Sequence, residues 1–359
     1  MPSSSACRTD LGPVNLGLRA MAALSAAFLM ATPLAAAPAT PVGGDYVYQG
    51  DIDLGGPGFW DYASLDPAGG RLYVGHVDHM SVVDVATRKV VGTVGPMDDA
   101  HGAAAVTSEN KGYATSGGDG VLKVFDLADF HIIKEIKVGL DADGIIYDPR
   151  SRLVIVMIGD GKQLVMVDPK TDSVVRTVAL PDGPEGVSLD GQGALYVNLA
   201  STAQLAKVDV ASGRIEATWP LPGCKDPHGL AYDPRAGRLF SGCANKVLVV
   251  VDVATGKVIE TLPTGAYSDG VEIDVARRRV FCPAGDGTLT VIKEGPGGHD
   301  VIERTIPTFL GGRSMAVDPR TGALFVTHGD TKIKGGLPNP LELRFGWDNA
   351  EVAVFVPND

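Results

Sequence analysis

One phrase of about 42 residues recurs seven times along this chain of 359 residues, and a period of that length restricts the fold to repeat architectures. It is clearest where Gly229-Leu-Ala-Tyr-Asp-Pro-Arg-Ala-Gly-Arg-Leu-Phe leads into Lys246-Val-Leu-Val-Val-Val-Asp-Val-Ala-Thr-Gly-Lys-Val-Ile-Glu-Thr-Leu. The phrase returns around Asp66-Pro67, Asp148-Pro149, Asp190-Gly191, Asp274 and Asp318-Pro319, with Thr107 in the aspartate's place in one degenerate copy. A second anchor closes each hydrophobic run, at Asp84, Asp126, Asp168, Asp209 and Asp252, then Lys293 and Val356. These anchors lie 41 to 43 residues apart, except for a last interval of 63, which places an inserted loop at 331–349.

Within each copy, β-branched and aromatic residues gather in runs of four to seven, separated by turn-formers such as Asp-Pro-Arg-Ser and Ala-Thr-Gly-Lys. No helical period is sustained, so four short strands per copy is the natural count. Seven such units predict an all-β fold, a seven-bladed β-propeller with four-stranded antiparallel blades. The last copy ends at Glu351-Val-Ala-Val-Phe-Val, one strand short, while Asp45-Tyr-Val-Tyr-Gln-Gly-Asp-Ile-Asp-Leu precedes the first copy as a spare strand. Pairing the two would close the ring and hide two sheet edges.

Residues 1–39 read as a signal peptide and short leader. Arg8 and Arg19 precede an apolar run from Ala20 to Met30, and Ala35-Ala-Ala-Pro-Ala supplies small residues for cleavage. The run is too short and alanine-rich for a durable membrane span, so a periplasmic or secreted protein without a span after cleavage is expected, as a monomer with propeller over 40–359. The formal charge is −12, and it becomes −13 without the leader, because two arginines and one aspartate leave. A positive field is what non-specific nucleic-acid binding needs, so no nucleic-acid partner is expected. A protein or small-molecule partner remains open.

Three cysteines follow the leader. Cys224 and Cys243 fall at the same end of one antiparallel meander, where a bridge would close a loop of about 20 residues; a metal role for the pair is the alternative. Cys282 falls inside a predicted strand and reads as a buried free thiol. The Asp-Pro-x-x-x-Arg-Leu and Val-Val-Asp-x-x-Thr-Gly-Lys-Val phrases resemble the YVTN-repeat β-propeller family, in its secreted, YncE-like branch, from about Asp45 to the C-terminus. The resemblance implies seven blades and no settled reaction. The stretch Leu221-Pro-Gly-Cys-Lys-Asp-Pro-His-Gly-Leu, with Arg238-Leu-Phe-Ser-Gly-Cys, is similar to a paired-cysteine blade of that family and so supports the disulfide.

Function has to be sought in the site that the scaffold builds. The residue just before the recurrent small residue of each first strand is Asp61, His101, Asp143, Glu185, His228, Asp269 and Arg313, and all seven are ionisable. First strands line a propeller's channel, so these residues are expected around one mouth. The loops between second and third strands add His76, His79 and His328, bringing five of the seven histidines to the same face, with Phe59, Trp60, Tyr62 and Tyr267 nearby. Converging carboxylates repel one another unless a cation or proton offsets them. No cofactor is required by the sequence. A divalent metal held by His76, His101, His228, His328 and Asp269, or a small ligand held by the ring with His76, His328 and Trp60, is the functional reading. A solvated polar funnel is the bland one.

The expected function is that of a binding or scaffold protein rather than an enzyme. The alternative is a metal-assisted hydrolase or lyase, with His101 or His228 as general base, Asp269 or Glu185 orienting it or holding metal, and Arg313 stabilising an anionic intermediate. Gly117-Gly-Asp-Gly and Gly285-Asp-Gly read as hairpin turns rather than phosphate loops.

Overall fold

A computed structural model describes residues 42–43, 45–57, 60–329 and 349–358. The leader at 1–39, Phe59 and the insertion, apart from Asn349, lie outside the described residues. Seven antiparallel sheets follow one another along the chain, six of them meanders of four strands. The fifth, for example, runs Pro227–Asp233, Arg238–Cys243, Val247–Asp252 and Lys257–Pro263. The seventh is assembled from both ends of the chain. Tyr46–Asp53 pairs antiparallel with Ala350–Pro357, from Tyr46 against Pro357 to Asp53 against Glu351. The spare N-terminal strand therefore closes the ring, as its sequence suggested, and a short strand Val42–Gly43 lies beyond it.

Burial follows strand position. The second and third strands are buried almost throughout, as in Leu239 to Cys243 and Leu248 to Val251, because each blade packs against a neighbour on both faces. The fourth strand alternates exposed and half-buried residues, since its outer edge meets solvent. The core is divided into seven hydrophobic clusters, and each spans the boundary between two consecutive blades. Trp60, Leu72 and Val83 of the first blade meet Phe325, Val352 and Val354 of the seventh, so closure is made by packing as well as by strand pairing.

The repeated aspartates are structural. Asp84, Asp126, Asp168, Asp209 and Asp252 each accept a backbone N–H two or three residues ahead, at 2.7 to 2.9 Å. Asp66, Asp148, Asp190, Asp233, Asp274 and Asp318 do the same in the turn between first and second strands. Each bond fixes a turn and leaves no donor stranded. In the degenerate copy, Thr107–Glu109 forms a short 3-10 helix, and Asn110, with φ of 53°, donates its side-chain amide to Asp126.

Cys224 and Cys243 form a disulfide with Cα atoms 5.5 Å apart, and Cys282 is a buried free thiol beside the Ser268 hydroxyl. Nineteen residues separate the bridged pair, and constraining that span in the unfolded chain is worth about 3 kcal/mol. The Cys224→Ala, Cys243→Ala double variant is therefore expected to lower the urea midpoint under oxidising conditions. Reductant should lower the wild type by the same amount, and an unchanged midpoint would show that the bridge constrains nothing. Among the described residues no helix is long and apolar enough to cross a membrane.

Candidate functional site at the channel mouth

Each ring residue stands at the entry of an innermost strand, and the residue after it explains the position. That residue is glycine in five blades: Gly102, Gly144, Gly186, Gly229 and Gly270. A Cβ on Gly186 would collide with the His228 carbonyl oxygen, and one on Gly229 with the backbone of Gly270. At these two positions adjacent inner strands approach so closely that only a hydrogen fits. The ionisable side chain one residue earlier is thereby fixed against its neighbours in the adjoining blades.

The seven side chains form two similar units and a seventh group. His101 Nδ1 faces Asp61 Oδ2 in a short contact and lies 3.2 Å from Asp143 Oδ1. His228 Nδ1 lies 3.3 Å from Glu185 Oε2 and 3.1 Å from Asp269 Oδ1. Each imidazole thus sits between the acids of the blades before and after its own. Its far nitrogen meets an aspartate two residues upstream, Asp99 at 3.5 Å from His101 Nε2 and Asp226 at 3.3 Å from His228 Nε2. Arg313 of the seventh blade places Nε 3.4 Å from Asp269 Oδ2, and the Ser314 hydroxyl donates to the same oxygen at 3.1 Å.

Burial alone would lower both imidazoles, but hydrogen bonds and charge from the surrounding carboxylates outweigh it. His101 is pushed up to about 10, chiefly by Asp61, and His228 to about 12 by Asp226, Asp269 and Glu185. Both are imidazolium at neutral pH, so the ring carries three cations against four acids and not the single arginine that a count with neutral histidines gives. The two units differ in their third member. Burial would raise Asp269, yet Arg313 and His228 hold it well below the usual carboxylate range. Asp143 is driven well above that range by burial and then by the charge of Asp61, against the pull of His101. The unit of Asp61, His101 and Asp143 sets two acids around one imidazole, and its three ligand atoms lie within 4.8 Å of one another.

The other sequence candidates go elsewhere. Trp60 is 2% exposed in the core between the seventh and first blades, not at the mouth. His76 is buried with its ring 4.6 Å from that of His79 across a hairpin, and burial followed by the neighbouring His79 lowers it. His328 stacks on Phe309 at 4.0 Å, with Nε2 3.0 Å from Asp51 and Nδ1 3.8 Å from Glu351. Among the described residues, the donor groups therefore divide into separate sets: His101 with Asp61 and Asp143, and His328 with Asp51 and Glu351. A single cluster of His76, His101, His228, His328 and Asp269 is not formed. His76 and His328 sit on second strands, one layer outward from the strands that bear the ring.

Two residues of the channel carry a role that the ring pattern does not reveal. Tyr62 occupies the position that is glycine in five blades, lines the channel, and donates its hydroxyl to Asp143 at 3.4 Å. Burial and then the charge of Asp143 raise it far above an ordinary phenol. Glu272 lies three residues after Asp269, where the other blades have Ser64, Ala104, Ile146, Ser188, Ala231 and Ala316. Burial pushes it up to about 7. Aligning the inner strands beyond their first residue would have marked both.

The sequence matches no protein-family model and no curated protein. Among solved structures, the fold is similar to Kuenenia stuttgartiensis hydrazine synthase, with a TM-score of 0.66 and 19% sequence identity over 77% of this chain and 94% of that one. At that identity the likeness speaks for the propeller fold alone.

Proposed function

We propose that this protein is an exported binding module of the YVTN-repeat, YncE-like type, and that its channel mouth takes a divalent transition metal at Asp61, His101 and Asp143. The observation that carries the reading is the asymmetry of the two ring units: Arg313 stands 3.4 Å from Asp269 and helps to hold it low, whereas Asp143 is raised by burial and by the charge of Asp61. An imidazole nitrogen facing two carboxylate oxygens is a mixed nitrogen and oxygen donor set, which suits zinc, iron or copper better than calcium. A bound cation would replace the proton on His101 Nδ1 and let Asp143 ionise. Asp99, on the opposite ring nitrogen, would hold the imidazole's orientation as an outer partner. Export rests on the arginine-flanked apolar leader, and the repeat type on the Asp-Pro and Thr-Gly-Lys phrases.

Calorimetry of the metal-stripped protein tests the site. One equivalent of zinc or copper should bind, calcium should bind more weakly, and affinity should rise with pH because protons are released. His101→Ala and Asp143→Asn should each weaken binding by about tenfold or more, whereas Asp269→Asn should not. Absence of binding by every divalent ion, or equal loss in Asp269→Asn, would overturn the assignment.

A further inference from the structure

Below the ring, the channel holds a cavity of about 190 Å³ walled by residues of all seven blades. The wall sets apolar side chains, including Ile145, Met157, Val187, Leu230 and Met315, among polar ones. Its carboxylates from the ring, Glu185 and Asp269, already face His228, and Asp269 also faces Arg313. Glu272 is different. It lies on the inner strand Glu272–Asp274 and lines the cavity without a hydrogen bond or ion pair to any described residue. The surface that it keeps is the wall of that cavity. Six blades put a serine, an alanine or an isoleucine at the same position, so strand geometry does not call for a carboxyl there.

A carboxylate in such surroundings is costly unless a cation meets it. The cavity selects the kind of cation. An inorganic ion would have to shed water and find several oxygen ligands, whereas Glu185 and Asp269 are already engaged and Glu272 offers one carboxyl beside apolar side chains. An anion would face Glu185, Asp269 and Glu272 together. A primary ammonium has three N–H donors for the carboxyl and its surroundings, and a short alkyl chain would fill the apolar remainder. We propose that the channel cavity binds a small alkylammonium ion, with Glu272 as its counter-ion. This goes beyond the metal site at the mouth and does not require it, since none of Asp61, His101 and Asp143 takes part.

The test is calorimetry of the full chain with ethylammonium and propylammonium chloride, with 1-propanol and sodium chloride as parallel titrants. Wild type should bind the amines at one site and bind neither control. Glu272→Gln should weaken amine binding by about tenfold or more, and Glu272→Asp, which keeps the charge, should retain part of it. Thermal melts of both variants establish that they are folded. No amine binding by wild type, equal affinity in Glu272→Gln, or propanol or sodium binding as well as the amine would each overturn the proposal. Zinc titration of the same Glu272→Gln protein reads the mouth independently: retained metal binding with lost amine binding is the expected pair, and loss of both would refute a separate amine site.

Discussion

A chain lacking residues through Leu54 is expected to lose its cooperative unfolding transition, and a peptide spanning 45–54, added in trans, is expected to restore it. The closing strand places Tyr46, Ile52 and Leu54 at 1%, 2% and 6% exposure in the clusters that join the seventh blade to the sixth and the first. Burying each of these side chains contributes about 2 kcal/mol, and the strand ladder with Ala350–Pro357 adds to that. The loss rivals the whole stability of an ordinary domain, about 5–15 kcal/mol. It also bares the edge of Ala350–Pro357, which invites pairing between chains. Circular dichroism melts with and without the peptide decide the matter. A truncated chain that melts at the wild-type temperature would mean that the ring is held by blade packing alone.

That expectation was legible before any coordinates, because a strand count that comes up one short at one end and one over at the other has a single economical solution. The turn aspartates were legible because they are local to one blade, and so was the disulfide as one of two readings, which the resemblance to a paired-cysteine blade favoured. The ring was legible as a set of positions but not as a set of charges. Reading Asp61, His101, Asp143, Glu185, His228, Asp269 and Arg313 from the repeat register gives the right neighbours. It cannot tell that each imidazole nitrogen points between two acids, and so it leaves the histidines neutral. Trp60 and His328 fall outside the ring because proximity to a first strand or a hairpin loop does not say which way a side chain turns. One packs between blades and the other lies against Asp51 of a strand brought from the far end of the chain.

Glu272 escaped, and Tyr62 was read only as aromatic surface near the mouth, for the opposite reason. The repeat register does mark them, as a tyrosine among glycines and a glutamate among small or apolar residues, but only when the register is followed inward past the mouth. A fold built by repetition makes departures from the repeat more informative than its agreements. The aspartates that recur in blade after blade hold turns. The residues that occur once in a recurring position, Arg313, Tyr62 and Glu272, break the symmetry of the channel. They set Arg313 against Asp269 in one ring unit, Tyr62 against Asp143 in the other, and a further carboxyl in the cavity below.

Replacing His228 by leucine is expected to cost about 3 kcal/mol at pH 7, because the substitution leaves Glu185 without its cation and removes one of the two that Asp269 has. The pH dependence separates charge from packing. The folded-state value of His228 is raised to about 12 from an ordinary 6.5, so above pH 6.5 the native state keeps a proton that the unfolded chain has released. Its stabilisation is fully present below pH 6.5 and is lost as the pH rises toward 12, by about 1.4 kcal/mol per pH unit at most. Asp269 has the opposite sign: its folded-state value is depressed, so its contribution is present above the usual carboxylate range and is lost on acidification. Urea midpoints measured from pH 6 to 10 should therefore fall for wild type, and fall less steeply for His228→Leu. The gap between the two should be widest at the acidic end of that range and narrow as it becomes alkaline. His228→Gln, which can still hydrogen-bond but carries no charge, should follow the leucine variant. A gap that stays constant across the range would mean that His228 acts through shape, and the account of the ring as a charge-compensated circuit would fail with it.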